Sequence, residues 1–457
     1  MKHAAIIDIG KTNIKLALVN LDSLTEVAVR TSPNRVVPGP PYPHFDTDAQ
    51  WVFLGAALTE MATGHDIDAI CVTAHGASAA FLDANGNLAA PVLDYEHDGP
   101  DSCRAGYDAI RPPFSETGSP ALPLGLNLGA QMYWQLQRDP GLRDRIRHVV
   151  MWPQYWGYRL TGQIAADISS LGAHTDLWNP VARQFSSVPA ALGLDGKMAP
   201  PCPPGAVLGT LRPELQAAFG LGPVPVLCGI HDSNASLLPH LIGRKAPFTV
   251  VSTGTWVISM AVGGLPVALD PARDTLINVN AFGDPVPSAR FMGGREYDLI
   301  LAGRDGVATA SDADHVLASG LMLLPSVVRE SGPFQGRQHR WTTEPPSDGQ
   351  REVALGYYLA LMTAESLTDI GADGPTVIEG PFGANPWFCA MLAATTQRSV
   401  LTSTTRTGTA VGAAMLLMKS PRMGMAEAAP VAAPDPRLAD YARTWREKVG
   451  MPAPTSQ

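Results

Sequence analysis

Cysteine is scarce in this chain: Cys71, Cys103, Cys202, Cys228 and Cys389 are odd in number, widely scattered and without a C-x-x-C pair. That pattern argues against a disulfide framework and against a zinc cluster, and makes a reducing cytoplasm the expected compartment. Basic charge is also in short supply, with 33 Lys and Arg against 42 Asp and Glu, a formal charge of −9, and no dense basic tract. Counter-ion release has no evident source, so no nucleic-acid partner is expected. No stretch reaches the roughly 18 uninterrupted apolar residues of a membrane span. The apolar start is broken by Asp8, Lys11, Asn13 and Lys15, which disqualifies it as a secretory leader; a soluble protein without a membrane partner is expected. Two nucleotide-binding signatures are missing as well. There is no G-x-x-x-x-G-K-[S/T] between strand and helix and no G-x-G-x-x-G after a strand, which disfavours the P-loop and dinucleotide folds.

What is present is a long chain with ample core-forming residues. Its 457 residues, 45% of them apolar and 16% charged, exceed the roughly 100–200 residues of one domain, so two or three domains are expected. Gly and Pro, 44 and 41 residues, stay below low-complexity levels, which excludes wholesale disorder. Ala4–Asp8 and Ile14–Val19 read as two strands joined by the turn Gly10-Lys11-Thr12-Asn13. Trp51, Leu54, Leu58 and Met61 recur at helical spacing behind a cap at Asp46 or Asp48. Asp68–Thr73 and Ala77–Leu82 read as strands continuing the sheet on either side of His75-Gly76, and Leu126–Leu160 reads as helical. After the strand Val224–Cys228 and the polar cluster Gly229–Asn234, the opening pattern recurs. Thr249–Val251 leads into Ser252-Thr253-Gly254-Thr255, and Trp256–Met260 leads out. Two such hairpins suggest a duplicated architecture with a seam near residue 243. An Ala/Pro-rich stretch, Ala426–Pro436, precedes one short terminal helix.

Asp8-Ile9-Gly10-Lys11-Thr12-Asn13 has the parts of a nucleotide phosphate site. Glycine admits close approach to phosphate oxygens, hydroxyl and amide groups donate hydrogen bonds, and the carboxylate can hold Mg²⁺ through water. An ordinary hairpin turn would use the same residues for local bonding. Ser252–Thr255 supplies a second turn rich in donors, and two turns facing each other across a cleft would grip one polyphosphate. Asp232, after His231 and between a strand and an Ala-rich helix, suits a general base for phosphoryl transfer, or equally a helix N-cap. Glu379-Gly380-Pro381-Phe382-Gly383-Ala384-Asn385-Pro386-Trp387 lies between a strand and a helix. Its glycines would let an adenine lie against backbone, or simply serve the turn.

These elements, in this order, resemble the FGGY carbohydrate kinases, within the wider fold of actin, Hsp70 and hexokinase. The resemblance runs from about residue 4 to residue 418. Asp8–Asn13 is similar to the family's first phosphate motif, Thr253-Gly254-Thr255 with Ser252 to its second, and Gly380–Trp387, with Gly383, Ala384 and Asn385, to its adenosine motif. Gly408–Ala414 resembles the helix that follows, and Tyr158–Gly162 with Asp167-Ile168-Ser169 a scaffold signature. The resemblance implies an α/β protein of two ribonuclease-H-like domains closing over sugar and ATP. Residues 1–242 would hold the sugar site, first phosphate turn and catalytic Asp232, and residues 243–457 the second phosphate turn and adenosine site. It further implies Mg²⁺ steered by Asp8 and Asp232, and a sugar-binding turn at Ala74-His75-Gly76-Ala77. There His75 would donate to a substrate hydroxyl or bond within its own turn. His231 and Trp256 resemble rhamnulokinases more than xylulokinases or glycerol kinases, which favours a 6-deoxy ketohexose over a pentulose. Two departures stand out: Lys11 replaces a small residue and would neutralise phosphate charge, and Leu93–Asp98 lacks the family's usual Trp-then-Asp/Arg contact. A non-catalytic sugar or nucleotide sensor of the same fold, and a phosphohydrolase, are the rival readings. Partners are expected to be a ketose and ATP, with the chain a monomer or homodimer.

Overall fold

The computed structural model describes residues 1–304, 307–403, 408–418, 429–430 and 435–450. Two compact units result, one of Met1–Gly243, Ile277–Pro285 and Thr407–Met423, the other of Arg244–Leu276, Val286–Arg406 and Gly424–Gln457. In the first, the sheet order is Val207–Thr210, Pro225–Leu227, Ala69–Ala74, His3–Ile9, Asn13–Asn20 and Thr25–Pro33, with Ile230–His231 also paired to Ala69–Ala74. His3–Ile9 runs antiparallel to Asn13–Asn20 and parallel to Ala69–Ala74, so Asp8 sits opposite Lys15 on one side and Thr73 on the other.

Strand alternation explains why this sheet is covered on both faces. Ala5, Ile7 and Ile9 share a core with Leu54, Leu58 and Met61 of helix Thr47–Gly64, whose first turn is capped by Asp46 accepting from the Ala49 N–H at 3.0 Å. Ala4 and Ile6 face the other way, into a core with Ala235 and Leu238 of helix Asp232–Gly243 and with Ala410, Ala413 and Ala414 of helix Thr409–Met415. That second face brings the residues around Asp232 and Thr409 beside the first strand.

The second unit repeats the plan. Phe248–Thr253 and Val257–Val262 form an antiparallel hairpin. Pro285–Phe291 lies antiparallel beyond Val257–Val262, while Thr376–Glu379 and Val400–Thr402 continue in parallel on the other side, followed by antiparallel Ala429–Pro430. Most of Ala426–Pro436 lies outside the described residues. Helices Asp348–Asp369, Pro386–Thr396 and Arg437–Lys448 supply the core that receives Val251, Val257 and Ala261. Among the described residues no helix is long and apolar enough to cross a membrane.

Two elements differ from the sequence reading. His148–Met151 is a strand, not part of a continuous helical run, and it separates helices Leu128–Arg138 and Leu142–Arg145 from Trp152–Thr161. Its four residues, two of them β-branched, are too few to interrupt a helical period visibly. Ala79–Leu82 does not extend the main sheet but pairs with His148–Met151. The chain is redirected just before it, where Ala77 adopts a left-handed φ of +54°.

Glu296, on helix Gly293–Leu301, is fully buried and accepts from the Val328 N–H at 2.9 Å and from the Tyr358 hydroxyl at 3.0 Å. Burial outweighs those bonds and raises its pKa from 4.5 to about 7. An acid whose folded pKa is raised destabilises the fold once it ionises, so this contribution is lost as pH rises from about 4.5 through 7. Glu296→Gln is expected to flatten that dependence and to stabilise the protein at pH 8 by up to about 3 kcal/mol. Urea midpoints at pH 5 and pH 8 measure it; a variant tracking the wild type at both would remove the assignment.

Candidate active site

In the first unit the site is built at the carboxyl ends of parallel strands, where open α/β sheets place their ligands. Asp8 is in register with Thr73, and Ile230 and His231 with Thr73 and Ala74, so Asp8 and Asp232 emerge from strands flanking Ala69–Ala74. The Asp8 carboxyl is pushed up to about 6, chiefly by burial; Lys15, 3.7 Å away, and a hydrogen bond from Thr409 lower it, while the Asp232 charge raises it. The two carboxylates therefore sense each other. Asp232 opens its helix; its Oδ1 accepts from the N–H of adjacent Ser233 at 2.6 Å and lies 3.5 Å from His231 Nε2. Its side chain is 31% exposed, open to an incoming hydroxyl.

The residues around Asp232 are held from behind. His231 N–H donates to Ser169 Oγ at 3.1 Å, and Ser169 Oγ donates to Asp167 Oδ1 at 2.7 Å. Asp167 is fully buried and also caps the short helix Ile168–Leu171. Asp167 and Ser169 thus hold the strand that leads into Asp232. Gly76 is needed on the opposite side, because a Cβ there would stand 2.6 Å from His231 Nε2.

His75 differs from the donor expected. Its Nδ1 lies 2.9 Å from the Gly76 carbonyl, which can only accept, so Nδ1 carries the proton and Nε2 is left an acceptor. Burial holds its pKa down to about 4, keeping the ring neutral, and Nε2 is buried without a partner among the described residues. The ring packs 5.1 Å from Phe45, 5.3 Å from Tyr95 and 6.2 Å from Trp152.

The first turn is closed by its own backbone. Gly10 N–H donates to the Asn13 carbonyl at 2.9 Å, and a Cβ on Gly10 would crowd that oxygen at 3.0 Å. Asn34 donates to the Gly10 carbonyl, and Gln50 in turn donates to Asn34. The Gly10 amide is thereby committed within the turn, and Thr12 and Asn13 are the exposed members. Lys11 turns away from the role expected of it. Its ammonium is hydrogen-bonded to Asp94 and stands 3.2 Å from Glu96.

In the second unit the other turn and the adenosine-like motif come together. Thr253 Oγ1 donates to the Glu379 carbonyl at 2.6 Å and accepts from the Phe382 N–H at 3.1 Å, so this hydroxyl staples two segments. Gly254 N–H donates to the Trp256 carbonyl, leaving Gly254 and Thr255 exposed. Gly380 has a φ of +85°, and a Cβ there would lie 2.0 Å from the Thr253 carbonyl oxygen. Asn385 Oδ1 caps helix Pro386–Thr396 by accepting from the Trp387 and Phe388 N–H groups, each at 3.0 Å. A cavity of about 520 Å³ is lined by Gly383, Ala384, Trp387, Tyr357, Asp314 and Arg437. Sequence reading missed Gly294, where a Cβ would lie 2.0 Å from the Gly254 carbonyl oxygen. The Gly293-Gly294 pair after a strand was its only signal.

Residues 3–239 match the N-terminal domain of the FGGY family of carbohydrate kinases, and residues 245–426 the C-terminal domain of carbohydrate kinase FGGY. The chain belongs to the FGGY carbohydrate kinase family and has its two-domain, actin- and hexokinase-like fold. A crystal structure of a carbohydrate kinase from Novosphingobium aromaticivorans is 34% identical, covers 98% of this chain and 99% of its own, and superposes with a TM-score of 0.92. L-fuculokinase of Haemophilus influenzae is 26% identical over 57% of this chain and 58% of its own length. Xylulose kinase of Escherichia coli is 27% identical over 50% and 48%. The chain thus spans about half the length of the curated relatives it matches.

Proposed function

We propose that the protein transfers the γ-phosphoryl group of ATP to a primary hydroxyl of a ketose, with a 6-deoxy ketohexose such as L-fuculose or L-rhamnulose as the acceptor. The observation that carries the reading is the strand-end pairing of Asp8 with solvent-open Asp232, beside the unpartnered acceptor Nε2 of His75. Asp232 accepts the hydroxyl proton as its oxygen attacks phosphorus in line. His75 Nε2 receives a hydrogen bond from a second hydroxyl and orients the sugar, with Gly76 and His231 shaping that wall. Within the first unit the exposed donors of Thr12 and Asn13, with Gly10 keeping their turn compact, are the candidates for binding phosphate oxygens; within the second, Thr255 beside Gly254 is the corresponding candidate, and Gly380, Gly383, Ala384 and Asn385 border the adenosine.

The carboxylates suit Mg²⁺. Asp8, Asp232 and the Thr409 hydroxyl are hard oxygen donors, and a cation beside Asp8 would stabilise the charged form that burial disfavours in raising its pKa to about 6. Among the described residues no group of three His, Cys, Asp or Glu forms a protein cage, in keeping with an ion that takes most of its ligands from water and phosphate. When bound, Mg²⁺ supplies charge neutralisation on the phosphates. An enzyme using ATP this way belongs in the cytoplasm. The similarity to a xylulose kinase supports a pentulose as the second candidate acceptor.

ADP release, followed with L-fuculose, L-rhamnulose, the xyluloses, ribulose and glycerol in turn, tests the proposal. A 6-deoxy ketohexose is expected to give the highest kcat/KM; no stimulation by any ketose would refute it.

A further inference from the structure

The Lys11 ammonium has two carboxylate neighbours, Asp94 by hydrogen bond and Glu96 at 3.2 Å. It also lies 4.8 Å from the Tyr95 ring centroid and 5.3 Å from that of Phe45. Both rings also pack against His75. The side chains of Lys11 and Asp94 are 18% and 11% exposed, so the pair is largely withdrawn from water. Asp94 is fixed further by its backbone N–H to the Pro43 carbonyl and by the Glu96 N–H to its Oδ1. One cation and two anions leave this cluster with a net charge of −1, and the charges of Asp94, Glu96 and Asp232 all act on Tyr95.

Such a cluster is poorly suited to polyphosphate. A lysine acts on phosphate as an unpaired point charge, and this one is already neutralised. Carboxylates held in place accept hydrogen bonds from hydroxyls, and the negative local charge repels a carboxylate or phosphate on the acceptor. We propose that Lys11, Asp94 and Glu96 form the acceptor-selecting wall of the sugar site, accepting hydroxyls of an uncharged polyol and turning away sugar acids. Lys11 acts on the acceptor and not on ATP. This inference rests on the kinase reading for its location, since His75 and Asp232 define the site it borders.

The test measures binding separately from turnover, on the full-length protein. In thermal-shift titrations, wild type should bind L-fuculose or L-rhamnulose at least about a hundredfold more tightly than D-gluconate, the discrimination due to one or two charged contacts. Lys11→Met should weaken ketose binding by about tenfold or more while changing ATP affinity by less than about twofold. Asp94→Asn, isosteric and able to fold in the same space, should narrow the ketose-to-gluconate ratio by about tenfold. The inference is overturned if Lys11→Met weakens ATP binding with ketose binding intact. It is likewise overturned if Asp94→Asn leaves the ratio unchanged, if gluconate binds as well as the ketoses, or if no polyol binds. Wild type that binds ketoses selectively yet releases no ADP would refute the kinase reading while leaving the selecting wall standing.

Discussion

Asp232→Asn is expected to leave the protein folded and able to bind ATP while sugar phosphorylation falls by about a hundredfold to ten-thousandfold, the usual contribution of a positioned general base. The substitution keeps volume and hydrogen-bonding reach but removes the ability to take a proton. It also separates the two roles open to this residue. Asparagine is as good a helix N-cap as aspartate, so a capping Asp232 would tolerate the exchange in both stability and turnover. The base role is proposed because the carboxylate, with Oδ1 accepting from adjacent Ser233 and 3.5 Å from His231 Nε2, is still 31% exposed. Turnover close to wild type in the variant would remove the base assignment.

Gly412→Val is expected to cost about 3 kcal/mol of stability, the upper part of the range for overpacking a tight contact. A Cβ at position 412 would lie 1.8 Å from the Ala235 carbonyl oxygen, and backbone cannot yield as a flexible side chain can. The contact joins helix Thr409–Met415 to helix Asp232–Gly243. Both carry site residues: Thr409, hydrogen-bonded to Asp8, and Asp232. Separating them should therefore lower kcat even under conditions where the variant stays folded. Urea denaturation and steady-state assays measure the two effects; unchanged stability would show that the helices are not locked at this glycine.

Much of this site is legible in the sequence wherever it depends on local pattern. Short strand-like runs on either side of small polar turns, at Gly10–Asn13 and Ser252–Thr255, reveal the two hairpins, and the cluster containing Asp232 falls at a strand-to-helix junction as its turn residues indicate. What escapes is set by contacts between distant segments. Lys11 meets Asp94 across 83 positions, and nothing local to either shows that the ammonium is already paired. Thr253 reads as a phosphate donor until the Glu379 and Phe382 backbone is seen to use its hydroxyl. His75 reads as a donor until the Gly76 carbonyl fixes the proton on Nδ1.

The fate of the labelled terminal phosphate of ATP is the most direct test of the account. Incubated with the protein and L-fuculose or L-rhamnulose, the label is predicted to appear in a sugar phosphate, with little release when the ketose is omitted. Label recovered as inorganic phosphate at the same rate with and without ketose would contradict the account and mark the protein as a phosphohydrolase.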